Sequence, residues 1–136
     1  MYTIKEMSEK FDLKASTIRY YEEIGLLENV EHKDKYHRVY TDAHVDRLSA
    51  IACFKKARLQ LEDIKLFFEY EKDITANSSK ILEMMKQQEK ETQAEIETLM
   101  SGLAHVQMKI KFYSALDDAI KNKQPIPTWN EVFRNE

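Results

Sequence analysis

The sequence of 136 residues contains one cysteine, two glycines and two prolines. A single cysteine excludes an intrachain disulfide framework and is typical of a reducing compartment. The scarcity of glycine and proline leaves few positions for turns and argues against a sheet-rich fold. No segment approaches the roughly 20 apolar residues of a membrane span, and the N-terminus lacks a signal-peptide pattern. We therefore expect a cytoplasmic protein that is not attached to a membrane.

Charge and apolar content together indicate a mainly helical protein with one core of modest size. Charged residues make up 33% of the chain and hydrophobic residues 43%. The net charge of -3 argues mildly against nucleic-acid binding. The placement of the cations argues the other way, because several lie where phosphates would lie in the fold predicted below. These cations are Lys14, Arg19, Lys33, Lys35, Arg38, Lys55, Lys56 and Arg58.

Two short segments near the N-terminus predict a helix-turn-helix. Thr3 and Glu6 have the spacing of a capping box, which starts a first helix that ends at residue 11. A second helix, over residues 15–24, carries an Arg-Tyr-Tyr-Glu run. A guanidinium can fork onto a phosphate, and a phenol can bond phosphate oxygens or stack on bases. We predict DNA contacts from Ser16, Thr17, Arg19, Tyr20 and Tyr21.

Residues 26–41 place polar turn residues between apolar ones, which predicts a two-stranded wing. Alternate residues of a strand point the same way, so Arg38 and Tyr40 are both expected to face the phosphate backbone. The alternative is a solvated hairpin with Tyr40 packed against the rest of the domain.

Two more helices are predicted after the wing. Asp42 is expected to cap a helix over residues 43–57, and another helix runs from residue 60 or 61 to residue 71. Lys56 and Arg58 follow at the C-terminal end of the first of these helices. They can bind phosphates, or they can simply stabilise that helix end.

The last half of the chain is predicted to be a linker over residues 73–78, a helix of about 65 Å over residues 79–121 and a tail over residues 122–136. Apolar residues in this helix repeat in steps of three and four, which defines a heptad seam. Residues 1–72 alone cannot cover such a stripe, so it needs a partner helix. The seam consists of Ile96, Leu99, Leu103, Val106, Ile110 and Tyr113.

These motifs, in this order, resemble the MerR family of transcription regulators over about the first 70 residues. The matching runs are Tyr2–Ser8, Ala15–Glu22, Gly25–Leu27, His37–Tyr40, Asp46–Leu48 and Leu61–Ile64. The resemblance implies a winged helix-turn-helix DNA-binding domain over residues 1–72. It also implies a homodimer held by an antiparallel coiled coil over residues 79–121. Such a dimer binds an inverted repeat in a promoter and distorts the DNA, which realigns the promoter elements for RNA polymerase.

The sequence can be compared with two kinds of effector response in this family, metal sensing and electrophile sensing. Metal-sensing relatives carry two or more cysteines near the long helix or the tail, and this chain has none there, so we predict no metal and no cofactor. A second branch, with a lone cysteine in the helix after the wing, is similar to residues 50–57. Some members of that branch respond to aldehydes or other electrophiles through modification of that thiol, as part of a stress response. Cys53 is therefore either a sensor thiol or a packing residue.

Two other functional classes compete with a DNA-binding regulator. A dimeric protein-interaction adaptor without DNA binding agrees with the acidic net charge. An enzyme is least favoured, because the sequence shows no nucleophile–base pair, phosphate loop or set of metal ligands.

Overall fold

The computed structural model describes residues 1–34 and 36–134, and these residues form six helices and one antiparallel pair of strands. The mainly helical fold with a small wing is confirmed. The chain divides into two compact units, residues 1–90 and residues 91–136. Within the described residues, no helix is both long and apolar enough to cross a membrane. The elements are α1 (Ile4–Phe11), α2 (Ala15–Glu23), β1 (Glu31–His32), β2 (Arg38–Val39), α3 (Asp42–Lys56), α4 (Leu61–Glu71), α5 (Ile74–Lys121) and α6 (Trp129–Phe133).

The core of the N-terminal unit is built from one face of each of the first four helices. Burying a large apolar side chain stabilises a fold by about 1.5–3 kcal/mol, so these contacts hold α1 to α4 together. Met85 of α5 packs against the same core. The most deeply buried residues are Met7, Ile18, Tyr21, Leu26, Leu27, Tyr40, Leu48, Ile51 and Ile64.

Local capping and one glycine define the helix-turn-helix. The predicted capping box is present: Thr3 Oγ1 accepts from the N–H of Glu6 at 3.1 Å, and the Glu6 carboxylate accepts from the N–H of Thr3 at 3.3 Å. After α2, Gly25 takes a left-handed conformation with φ +84°, and the N–H of Leu26 donates to the carbonyl of Tyr21 at 2.8 Å. This arrangement ends α2 and turns the chain toward the wing.

The wing predicted over residues 26–41 is present, with strands of two residues each. Glu31 pairs with Val39 and His32 pairs with Arg38. The turn is closed by Asp34, whose carboxylate accepts from the N–H of Tyr36 at 2.8 Å and from the N–H of His37 at 3.0 Å. These bonds organise a turn that has no glycine. Lys35, one of the cations predicted to approach phosphates, lies outside the described residues.

The predicted cap of α3 is wrong by one residue. Thr41 is the N-cap and Asp42 is the first helical residue, because the side chain of His44 reaches back to the cap. The N–H of Thr41 donates to His44 Nδ1 at 2.9 Å, and Nε2 of the same ring lies 2.7 Å from the carbonyl oxygen of Glu28. An Nδ1 that accepts leaves the proton on Nε2, so His44 ties α3 to the segment before the wing.

The predicted linker over residues 73–78 is also wrong, because α5 already begins at Ile74. The Asp73 carboxylate accepts from the N–H of Ala76 at 3.2 Å, which is a helix N-cap bond. Gln88 Nε2 donates to the carbonyl of Ala57 at 2.8 Å. The compact N-terminal unit thus includes the first part of α5 and extends to residue 90. The assignment of DNA binding, dimerisation and tail to separate segments stays a prediction.

The C-terminal unit contains the rest of α5 and the short helix α6. Trp129 and Phe133 of α6 form an aromatic cluster with α5: their rings lie 4.4 Å apart, and the ring of Trp129 lies 5.0 Å from that of Phe112. Lys109 Nζ lies 5.2 Å from the centre of the Trp129 ring, and Lys111 Nζ lies 5.0 Å from that of Phe133. These aromatic and cation–π contacts hold α6 to α5.

Gly25→Ala tests the left-handed turn after α2. An L side chain at φ +84° is strained, so we expect the free energy of unfolding to fall by about 1–2 kcal/mol in urea denaturation. Gly102→Ala is the matched control, because Gly102 is helical and a Cβ there meets nothing within 4 Å. An equal loss of stability in both variants would contradict this role of Gly25.

Lowering the pH should destabilise the turn of the wing. The N–H of Tyr36 and the His37 side chain hold the pKa of Asp34 below its ordinary value of 3.8. A lowered folded-state pKa stabilises the turn above the unfolded pKa, and this stabilisation disappears as the pH falls through the folded pKa. We expect the amide NMR signals of Tyr36 and His37 to move together below about pH 4. Asp34→Asn should remove this transition, and its persistence in that variant would assign it to another group.

Candidate nucleic-acid interface

The helix α2 has one buried face and one exposed face. Ile18 and Tyr21 are fully buried, which fixes the rotation of the helix about its axis. Ser16, Arg19 and Tyr20 lie on the exposed face, at spacings of three and four residues. Tyr20 is 48% exposed, although it is a large aromatic residue. The structure thus brings three of the five residues predicted on this helix to one surface, with Thr17 half-buried at its margin.

The predicted DNA contact of Tyr21 is wrong, because its side chain is only 1% exposed. Tyr21 stands three residues after Ile18 and therefore shares the core face of α2. Its hydroxyl accepts from Lys55 Nζ at 3.0 Å, and the ammonium lies 5.7 Å from the centre of the ring. Lys55 is thus engaged by Tyr21 within the domain.

The predicted DNA contact of Tyr40 is wrong as well, because Tyr40 is completely buried. Tyr40 pairs with Tyr2 through two backbone hydrogen bonds of 2.8 and 2.9 Å at the base of the wing. Its hydroxyl is buried and has no hydrogen-bond partner among the described residues. Burial raises the pKa of Tyr40 to about 12, so the phenol is neutral under physiological conditions.

Arg38 is half-buried, and its Nε donates to Glu22 Oε2 of α2 at 2.8 Å. Arg38, Val39 and Tyr40 are all at least half-buried, so burial does not separate the two sides of this short strand. The predicted phosphate contact of Arg38 stays a prediction. A bond from Nε does not occupy the two terminal amino groups of the guanidinium, so these can still reach a phosphate.

The sequence-based prediction did not include Glu22, which binds both strands of the wing. Its Oε1 lies 2.8 Å from Nε2 of His32, the residue opposite Arg38 in the hairpin. A carboxylate oxygen only accepts, so His32 carries a proton on Nε2. A carboxylate on the same helix as Arg19 was the only signal in the sequence, and it gave no indication of partners 10 and 16 residues away.

Other exposed cations lie at the start of α2, on the wing and at the end of α3. Lys14 is the exposed N-cap residue of α2 and forms no side-chain cap bond, so a cation lies at the N-terminus of this helix. Lys33 lies on the wing, and Lys56 and Arg58 lie at the end of α3. The predicted phosphate contacts of Lys56 and Arg58 stay predictions.

Cys53 and the seam are both exposed. The side chain of Cys53 is exposed on the surface of α3 in the single chain, and its assignment as a sensor thiol or a packing residue stays a prediction. The residues of the seam are between 44% and 69% exposed, and no residue of α5 is buried. Among the described residues, no group of three or more His, Cys, Asp or Glu side chains could hold a metal ion.

Comparisons with known proteins identify the family. Residues 2–71 match the model of the MerR HTH family regulatory proteins. An uncharacterized HTH-type transcriptional regulator of Haemophilus influenzae is 31% identical over 112 residues, which cover 82% of this chain and 83% of that protein.

Solved structures of two family members have the same fold. HiNmlR, a MerR family regulator lacking the sensor domain and bound to promoter DNA, superimposes with a TM-score of 0.76 and 29% identity over 90% of this chain and 91% of that chain. A MerR family regulator from Bacillus thuringiensis gives a TM-score of 0.67 and 28% identity over 80% of this chain and 96% of that chain. The chain described here belongs to the MerR family of helix-turn-helix transcription regulators.

Proposed function

We propose that this regulator binds an inverted repeat in a promoter as a homodimer, with α2 in the major groove and the wing on the phosphate backbone. The exposed face of α2, with Ser16, Arg19 and Tyr20 above a buried core face, is the observation that carries this proposal. HiNmlR, which shares the fold, was crystallised on promoter DNA. The relatives are described as transcription regulators, and we infer that this chain is not an enzyme.

Each of these side chains has a distinct role in the proposed DNA complex. Arg19 can fork onto a guanine or a phosphate, and Tyr20 can bond a phosphate oxygen or stack on a base edge. The terminal amino groups of Arg38 bind the backbone beside the wing. Lys56 and Arg58 bind phosphates at the end of α3 and thus add affinity without reading sequence.

The dimer forms through the seam, whose exposed apolar side chains need a partner of the same kind. Charge at the flanking heptad positions indicates the direction of the two helices. Glu95, Gly102 and Lys109 occupy the same flanking position in three successive heptads. In an antiparallel pair centred near Gly102, the Glu95 of each subunit faces Lys109 of the partner subunit. The two-fold axis thus gives two equivalent ion pairs. A parallel pair would instead place Glu95 near Met100, which gives no ion pair.

Regulation follows from DNA deformation. The bound dimer bends and untwists the promoter, and an effector shifts the balance between two states of the complex, which places the promoter elements for RNA polymerase in the cytoplasm. The exposed thiol of Cys53 supports an electrophile-responsive regulator, because addition of its sulfur to an aldehyde or another electrophile needs solvent access.

Arg19→Ala tests the DNA-binding face. The operator is first obtained as the duplex that the wild-type protein selects from a random library. Removing one base or phosphate contact should weaken binding to this duplex by about 10- to 100-fold in fluorescence anisotropy. Lys86→Ala removes the same charge from an exposed position of α5 and should change affinity little. A wild-type protein that selects no duplex would support the protein-interaction adaptor instead.

Charge reversal tests the antiparallel dimer. Glu95→Lys and Lys109→Glu should each raise the dimer dissociation constant in analytical ultracentrifugation, because each change creates two like-charge contacts, and the double variant should restore it. Glu97→Lys, at an exposed position away from the seam, is the matched control. Separately, Leu103→Asp should give monomers. If neither charge reversal affects the dimer, the antiparallel register is wrong.

Alkylation of Cys53 tests the sensor role. We expect the native protein to react with iodoacetamide at a rate close to that of the urea-unfolded chain, because the thiol is exposed. Cys53→Ser is the control for specificity, and the same variant should abolish any change in operator binding after aldehyde treatment. If alkylated wild-type protein binds the operator unchanged, Cys53 is not the sensor.

A further inference from the structure

The carboxylate of Glu22 joins the recognition helix α2 to both strands of the wing. Oε1 accepts from His32 Nε2 of β1 and Oε2 accepts from Arg38 Nε of β2, each at 2.8 Å. His32 and Arg38 are paired opposite each other in the hairpin. Only 19% of the Glu22 side chain is exposed, so the two bonds are partly shielded from water and stronger than ordinary surface pairs.

Other contacts hold the base of the wing, but the strands themselves pair over a short length. Its strands are two residues long, and such a hairpin is marginal on its own. Both residues of β1 are exposed, whereas Val39 of β2 is buried. At the base of the hairpin, Tyr2 and Tyr40 are joined by backbone bonds. The contacts of Glu22 are side-chain bonds that reach from α2 to both strands of the wing.

We propose that Glu22 is a positioning residue for DNA binding. Its carboxylate fixes the wing relative to the exposed face of α2 before DNA arrives, so base contacts by Arg19 and phosphate contacts by Arg38 form together. This inference rests on the proposed binding of DNA by these two elements. Ordering the wing in advance lowers the entropic cost of binding. The bond at Nε also orients the guanidinium of Arg38, which presents its terminal amino groups to the backbone.

Removing the charge of Glu22 should change the affinity for DNA in the direction opposite to the one expected from electrostatic repulsion alone. A carboxylate near DNA repels phosphates, so removing its charge should strengthen binding if the group had no other task. If Glu22 positions the wing, removing its charge weakens binding. Glu23, the next residue on α2, is exposed and carries the same charge. The variants Glu22→Gln and Glu23→Gln therefore form a matched pair with the same change in charge and shape.

The test measures operator affinity of the dimer as a function of salt concentration. A glutamine keeps the shape of the side chain but carries no charge, so the charge-assisted bonds to His32 and Arg38 are lost or become weaker neutral ones. We expect Glu22→Gln to lose on the order of tenfold in affinity, the effect of one charge-assisted hydrogen bond. The slope of log affinity against log salt should fall by about 1 for each phosphate that the variant no longer binds. Glu23→Gln should bind as tightly as wild type or tighter, with an unchanged slope.

Hydrogen exchange of the free protein gives a second readout that needs no DNA. The N–H of Lys33 donates to the carbonyl of His37 at 2.8 Å within the hairpin. This amide should exchange faster in Glu22→Gln than in Glu23→Gln, while the amides of α1 and α3 stay protected in both variants. General loss of protection would mean that Glu22 serves folding rather than positioning and would overturn the proposal.

Different experimental results would overturn the positioning role of Glu22 and the proposed DNA-binding function. Operator binding by Glu22→Gln that equals or exceeds that of wild type, with an unchanged salt slope, would overturn the positioning role and leave DNA binding intact. A wild-type protein that binds no duplex would overturn the proposed function itself. Glu22→Asp, with a shorter side chain that keeps the charge, should recover part of the affinity, whereas purely electrostatic repulsion predicts no difference between Glu22→Asp and wild type.

Discussion

The burial of one face of α2 is the constraint on which the rest of the N-terminal unit depends. A helix of nine residues is too short to be stable alone, so its formation relies on packing. Ile18 and Tyr21 enter the common core together with residues of α1, α3 and α4. Because these two anchors fix the rotation of α2, they also determine that Arg19 and Tyr20 face outward. The core thus decides which side chains are available to read DNA.

Net charge is a poor guide to the function of this chain because its charges are organised locally. The protein carries a net charge of -3, yet exposed cations such as Arg19 on α2 and Lys33 on the wing lie beside the acidic residues of the same region. The carboxylate of Glu22 in this region pairs with His32 and Arg38, and most of its side chain is buried. Local placement governs specific contacts, whereas the net charge governs weak, long-range attraction to any DNA.

Periodicity and motif spacing predicted the helices, the wing and the seam, because these depend on local sequence. The errors arise where the outcome depends on distant partners. Alternation predicts that Arg38 and Tyr40 share one side of a strand, but it does not reveal that Tyr40 is buried in the core. Residues 73–78 were assigned to a linker because Asp, Asn and Ser favour helix caps and loops alike. The bonds of Glu22 to the wing join residues 10 and 16 positions apart, and no local pattern encodes them.

The backbone at Arg58 shows how stability and function can conflict in one residue. Arg58 has φ 72°, a left-handed conformation that glycine adopts freely and an L side chain adopts at a cost of about 1–2 kcal/mol. Gly25 takes such a conformation without that cost. The chain nevertheless keeps a cation at position 58, within the proposed phosphate-binding set. If Arg58 binds a phosphate as proposed, directed evolution that selects only for thermal resistance would tend to replace it with glycine and weaken operator binding, unless binding is selected at the same time.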